Sequence, residues 1–375
     1  MRPFLFRFMP VLLLLAGLAA PAESQVVRSG AGSLVAVTAG RDAFRADLGG
    51  GTTAGPNGSF GGLRREINWD GVPDSFARPN AFPSDFFNVN SPRGVVFFNS
   101  SRNKFAVSAK SGNPSGVATL FADFDPTYGS KFAAFSQERL FTSVGDPVYN
   151  VHFFVPGTNR PALVKGFGAV FTDVDVTRGS FIEYFDIDGD SLGSFEVPAA
   201  AGDKTLSFLG VSFPGAPRVA RVQVTAGHVV LSGGGEPPGL DAVAVDDFLY
   251  GEPVEAEDAP CIETPTAVCL QQGRFRVEAA FFSTQAGNGF AKTFLLTPDS
   301  ATLSFFAPDN RELLIKVLNG CALNDRFWVF GAAATNVGYD ITVTDTETGE
   351  VKVYSKVQGP PAPAINDTNA FATCP

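Results

Sequence analysis

From about residue 35 to residue 251 the chain is a succession of short apolar, aromatic and β-branched runs, each broken by Gly, Pro or Asn. "RGVVFFNS", "NKFAVSAK", "YNVHFFVP", "VKGFGAVFTDVDV", "SFIEYFDI", "KTLSFLGVSF" and "RVARVQVTAG" follow one another in this way. Such runs are long enough for strands and too interrupted for long helices. The 37 Phe, 40 Gly and 27 Pro push the same way, since Phe favours strands and Gly with Pro favours turns. The expected fold class is all-β. In the last run Ala220, Val222 and Val224 alternate with Arg221, Gln223 and Thr225, the pattern of a strand with one wet face. The first two runs read as a hairpin around Ser100-Ser101-Arg102, and only "SQERLFTSVG" reads as a short helix.

The ends set the compartment. Arg2 and Arg7, an apolar stretch over residues 11–20 and Ala20-Pro21-Ala22 form the n-h-c order of a secretory signal peptide over residues 1–22. Its apolar stretch is too short to span a bilayer, and no later segment reads as a membrane span. The expected location is secreted or extracellular, with the periplasm and the cell surface as variants. Loss of the two leader arginines takes the net charge from −10 to −12, which argues against nucleic-acid and anionic-membrane partners.

All four cysteines lie late, at Cys261, Cys269, Cys321 and Cys374. There is no C-x-x-C and no nearby histidine for a zinc site, so two disulfides are expected. Of three pairings, Cys261–Cys269 with Cys321–Cys374 joins the cysteines closest in sequence and pins the chain end. The shift from no cysteine to four, across the acidic, Pro-bearing "YGEPVEAEDAP", suggests two units. The expected division is 26–252 for a jelly-roll-like sandwich, 253–266 for a linker and 267–375 for a smaller disulfide-stapled sandwich. In the latter Phe275, Val277, Ala279 and Phe281 alternate with Arg274, Arg276 and Glu278, and "TETGE" turns a hairpin at Gly349.

Several motifs invite chemistry. Gly189-Asp190-Ser191-Leu192 spells an esterase nucleophile block, but a serine nucleophile needs an oriented histidine base. Neither His152 nor His228 completes Asp-x-x-His, because residues 149 and 225 are Tyr149 and Thr225. Asp186, Asp188 and Asp190 fit the first positions of an EF-hand loop, yet Ser191 and Val197 stand where its Gly and bidentate Glu belong. Asp188-Gly189 is a hairpin-turn dipeptide between two strand patterns, and that reading is preferred. Asp173 and Asp175 end another strand. Asp246-Asp247 lies in a strand whose successive residues face opposite sides, so one carboxylate points inward. It either accepts backbone hydrogen bonds, the favoured alternative, or ligates calcium. Trp69, among polar residues and glycine, is the better sugar-stacking candidate of the two, with packing the preferred reading even there; Trp328, in the apolar run "RFWVF", reads as core.

"GGLRREINWDGVPD", "NVNSPRGVVF", "GFGAVFTDVDV", "LGVSF", "ARVQVTAG" and "VAVDDFLYGEP" resemble a family of secreted bacterial proteins without assigned function. "DAVAVDDFLY" also resembles the last strand of jelly-roll modules such as MAM domains and carbohydrate-binding modules. By analogy with these, Asp246 and Asp247 would hold a structural calcium; no other cofactor is expected. "GRFRVEAAF", "NGCALNDRFWVFGAAATNVGYDITVTDTETGEV" and "NAFATCP" resemble an accessory domain found at the C-terminal ends of secreted bacterial proteins. These resemblances imply a compartment and a fold type and carry no catalytic residues. The functional expectation is a secreted, non-catalytic binding or adhesion protein for carbohydrate, another extracellular polymer or a protein. The alternatives are a structural part of a matrix or envelope, then a glycoside or ester hydrolase, since paired carboxylates leave no sequence spacing to read.

Overall fold

The computed structural model describes residues 25–256 and 261–375; the expected signal peptide lies outside them. The chain is all-β, and every sheet is confined to one side of residues 256–266.

In the first unit an eight-stranded antiparallel sheet runs Val26–Ala31, Leu206–Ser212, Gly166–Thr172, Ala244–Gly251, Arg64–Ile67 and Ser59–Phe60. Strands Phe105–Val107 and Phe141–Ser143 join beside Ala244–Gly251. A five-stranded sheet runs Ser191–Glu196, Phe181–Phe185, Arg221–Thr225, Val148–Phe153 and Val95–Asn99. Side chains from the two sheets, among them Phe97, Tyr149, Val151, Tyr184, Phe167 and Phe248, fill one continuous core. In the three central strands of the five-stranded sheet every second residue points out, as the Ala220–Thr225 alternation requires.

Strands Gly166–Thr172, Leu206–Ser212 and Ala244–Gly251 are instead buried at every position. Their second face is covered by helix Leu34–Leu48, which sequence reading missed. Ser33 caps its N-terminus by accepting from the Ala36 N–H, and Gly49, at φ +75°, ends it. Val37, Phe44 and Leu48 pack on Val170, Phe208 and Leu249. Gly168 and Gly210 make the slot for Phe44: a Cβ on either would lie 3.0 or 2.8 Å from its ring.

Two local expectations change. Val95–Asn99 and Phe105–Val107 are both strands, but they pair in different sheets, so residues 100–104 cross the sandwich rather than turn a hairpin. The segment read as a short helix holds strand Phe141–Ser143, whose residues are all buried. The Asp188-Gly189 hairpin forms: Phe181–Phe185 pairs with Ser191–Glu196, Gly189 sits at φ +86°, and Asp186 Oδ1 accepts from the N–H groups of Asp188 and Asp190.

The second unit is a smaller sandwich. One sheet runs Ala267–Leu270, Phe275–Ser283, Gly338–Asp345 and Val351–Lys356, with Gly287–Phe290 on Phe275–Ser283. The other runs Lys292–Thr297, Ser300–Ser304, Leu313–Asn319, Phe327–Ala333 and Ile365–Phe371. Phe275, Val277 and Ala279 point into the core, as their alternation predicts. The disulfides are Cys261–Cys269 and Cys321–Cys374. The two units meet where Asn159 Nδ2 donates to Glu278 Oε2 at 2.7 Å and Lys292 pairs with Asp85 at 2.7 Å.

Candidate functional site

Trp328, expected in the core, faces outward, and Trp69, the sugar-stacking candidate, is packed as its preferred reading had it. Trp69 is 1% exposed, so it is no platform. Its ring stacks on Phe141 at 4.2 Å, and its Nε1–H donates to the Asp246 carbonyl at 2.6 Å. That carbonyl lies where the pairing of Ala244–Gly251 shifts register, and the indole supplies the donor the ladder lacks there. Trp328 is partly exposed: its strand buries Phe327 and Val329 and turns Trp328 and Phe330 outward. Its Nε1–H donates to Asn324 Oδ1 at 2.7 Å, and its ring lies against Gly320, where a Cβ would fall 2.2 Å from it.

Of the two alternatives for the Asp246-Asp247 pair, the favoured one holds at Asp246, whose carboxylate accepts hydrogen bonds. Asp246 Oδ2 accepts from the Phe135 and Ser136 N–H groups at 2.5 and 3.2 Å, and Oδ1 accepts from the Ser136 hydroxyl at 3.0 Å. Burial, and then neighbouring Asp247, push the Asp246 carboxyl well above its ordinary range. The carboxylates with metal-ligand spacing lie elsewhere: Asp246 and Asp247 belong to no such cluster among the described residues.

That cluster is built by antiparallel pairing. Strand Gly166–Thr172 ends beside the start of Ala244–Gly251, with Thr172 opposite Ala244. Asp173 and Asp175 therefore meet the segment that enters the latter strand, which carries Glu236 and Asp241. Ligand oxygens of Asp173, Asp175 and Glu236 all lie within 4.8 Å of one another. Asp173 is fully buried, and neither of its carboxylate oxygens receives a hydrogen bond. Asp241 is also fully buried; its Oδ2 accepts from the Asp175 and Val176 N–H groups, and its Oδ1 has no donor. Asp175 Oδ1 accepts from Gly202 N–H, and Glu236 Oε1 from Ala242 N–H. Lys131 sits 2.6 Å from Glu236 but 4.0 Å from Asp173.

The electrostatics follow. Burial first, then Asp175, pushes the Asp173 carboxyl up to about 8. Burial pushes Asp241 up to about 7, with Glu236 beside it adding to the rise against the two N–H donors. For Glu236 burial works upward, but Lys131 and the Ala242 N–H outweigh it and hold this carboxyl below its ordinary value. Sequence reading noted the Asp173-x-Asp175 pair without partners; Glu236 and Asp241 are more than sixty residues away in the chain.

The outer face of the second unit's Cys374-side sheet is different in character. Leu318 pairs across from Trp328, and Lys316 pairs with Phe330, which in turn pairs with Asn366. Leu314, Lys316, Leu318, Phe330, Ala332 and Asn366 help line a shallow groove of about 440 Å³ there.

The esterase-like residues do not converge. Ser191 Oγ donates to Glu183 Oε1 at 2.8 Å. A cross-strand row, Ser191–Phe185–Arg221–His152, sets the serine and this histidine three strand spacings apart, ~14 Å. Burial, with Arg221 close by, lowers the His152 imidazole to about 3, and its ring packs against Phe98.

No family model, curated protein or solved structure matches the chain. Among the described residues no helix is long and apolar enough to cross a membrane.

Proposed function

We propose that this is an exported, non-catalytic protein that binds an extracellular polymer, carbohydrate by chemistry, on the outer face of the sheet that carries Trp328. The observation that carries this reading is the outward placement of Trp328 and Phe330 on a strand whose inner residues already fill the core. Their ring centroids are 6.2 Å apart and nearly perpendicular. Pyranose rings present an apolar C–H face to an aromatic side chain and hydroxyls to polar neighbours; here Lys316 and Asn366 flank Phe330. Export is supported by the n-h-c pattern of residues 1–22 and by two disulfides, which persist in oxidising compartments. The non-catalytic reading is supported by the separation of Ser191 from His152 and by the engagement of Ser191 with Glu183.

Affinity electrophoresis against a panel of soluble polysaccharides tests it. Retardation of the wild type by at least one polymer, reduced in Trp328→Ala with unchanged melting, is the expected result. No retardation by any polymer, or undiminished retardation of the variant, overturns it; retention in a matrix fraction without polymer binding would instead point to a structural role.

A further inference from the structure

We propose that Asp173, Asp175 and Glu236, with Asp241 beside them, form a binding site for one divalent cation, calcium by the nature of its ligands. The starting point is a buried polar group without partners. Asp173 is fully buried, and neither of its carboxylate oxygens receives a hydrogen bond from the protein. Asp241 Oδ1, also buried, lacks a donor as well. A buried carboxylate is costly unless hydrogen-bonded, ion-paired or bound to a metal. Lys131 does not satisfy Asp173: the ammonium commits its short contact to Glu236 at 2.6 Å and stands 4.0 Å from Asp173.

The geometry suits a hard cation. Calcium binds oxygens at about 2.4 Å, so two ligands on opposite sides of one ion stand ~4.8 Å apart. The oxygens of Asp173, Asp175 and Glu236 fall within that limit, all lying within 4.8 Å of one another. Asp241 stands beside them, near enough for Glu236 to raise its carboxyl and for its Oδ2 to accept from the Asp175 N–H at 3.1 Å. Every donor is a carboxylate oxygen, with no imidazole or thiolate, which selects calcium-like ions over zinc or copper. Ligands drawn from loops rather than one rigid element accommodate calcium's irregular coordination better than magnesium's strict octahedron. Four carboxylates against the single Lys131 ammonium also leave local negative charge that a dication neutralises.

The ion would have a mechanical consequence. Glu236 lies in "SGGGEPPG", a glycine-rich segment that costs much entropy to order. Coordination would tie this segment to the end of strand Gly166–Thr172, in the middle of the larger sheet.

Calorimetric titration of the mature, chelator-stripped protein with Ca²⁺ tests the site, together with thermal melting in EGTA and in Ca²⁺. The expected result is a single bound ion, a higher melting temperature in Ca²⁺, and loss of both effects in Asp173→Asn and Glu236→Gln. Asp186→Asn, at the exposed hairpin, should bind as wild type does. Asp175→Asn is the further variant should Asp173→Asn fail to fold, and it should also lose binding. Absence of any Ca²⁺-dependent heat or melting shift in the wild type overturns the proposal. So does undiminished binding in a folded Asp173→Asn or Asp175→Asn protein, which would place the ion elsewhere. Tighter binding of Mg²⁺ than of Ca²⁺ overturns the calcium assignment.

Discussion

Removing the Cys321–Cys374 bridge should destabilise the second sandwich alone, and by an amount its loop length sets. The native chain end is held by more than sulfur. Strand Ile365–Phe371 pairs with Phe327–Ala333, and the Phe371 ring packs 5.0 Å from Phe275. Asp345 accepts from Arg274 and from the Thr373 hydroxyl, and Arg274 also donates to the Thr373 carbonyl. A Cys321→Ala/Cys374→Ala protein should therefore keep its native end, and the loss should come mainly from the freed unfolded chain. The bridge spans 53 residues, and loop entropy assigns it ~4 kcal/mol. For a unit of about this size that is a fall of roughly 15–20 °C in its melting temperature. The Cys261–Cys269 bridge spans 8 residues and should contribute less, ~2.5 kcal/mol. The two tryptophans allow each unit to be watched in the full chain: Trp69 lies in the first core, and Trp328 lies on the second sandwich. Melting followed in Trp328→Phe and Trp69→Phe backgrounds should show the Trp328 signal moving and the Trp69 signal still. Equal shifts of both signals, a shift under about 5 °C, or a larger effect from the short bridge would refute the reasoning.

Two further outcomes follow from the buried acids. Asp173 and Asp241 have folded-state values near 8 and 7 against an ordinary 3.8, so between pH 4 and 8 the folded protein holds protons that the unfolded chain has released. Their contribution to stability in chelator should thus fall as pH rises through that window and level above it. Urea unfolding of wild type against Asp173→Asn checks this, since the variant should lose part of the slope; identical slopes count against it. Asp246→Ala should cost roughly 2–5 kcal/mol in the same assay, because it strands the Phe135 and Ser136 N–H groups that Asp246 accepts, whereas a cost below about 1 kcal/mol would deny the carboxylate that role.

The strands were legible because alternation and turn dipeptides are local. Asp188-Gly189 and the "TETGE" turn needed no tertiary information, and both form. Helix Leu34–Leu48 was missed for a local reason too: Gly40 in its middle reads as a breaker. The structure shows why glycine stands there, since a Cβ at Gly40 would lie 2.8 Å from the Ser29 carbonyl oxygen of the neighbouring edge strand. "GFGAVFT" and "LSFLGVS" do not alternate as "RVQVT" does, and a strand apolar on both faces needs cover on both. Trp328 faces out because alternation overrides the apolar run: "RFWVF" puts Phe327 and Val329 on one face and Trp328 and Phe330 on the other.

The acidic site was illegible for a different reason. Its ligands come from two short segments, Asp173-x-Asp175 and Glu236-x₄-Asp241, and neither has the spacing of a known metal loop. What unites them is the antiparallel register that sets Thr172 opposite Ala244, which a single sequence does not state. By contrast Asp246-Asp247 drew notice as an adjacent pair, yet its inward carboxylate is spent on holding residues 135 and 136. Within the strand Asp246 finds the Phe135 and Ser136 donors, although Asp247 Oδ1 beside it finds none, whereas Asp173, at a strand end and at φ +67°, leaves the ladder before a donor reaches either of its oxygens. What separates Asp173 from Asp246 is the loop of residues 135 and 136 that reaches Asp246 and has no counterpart at Asp173, and that emerges only once the strands are paired.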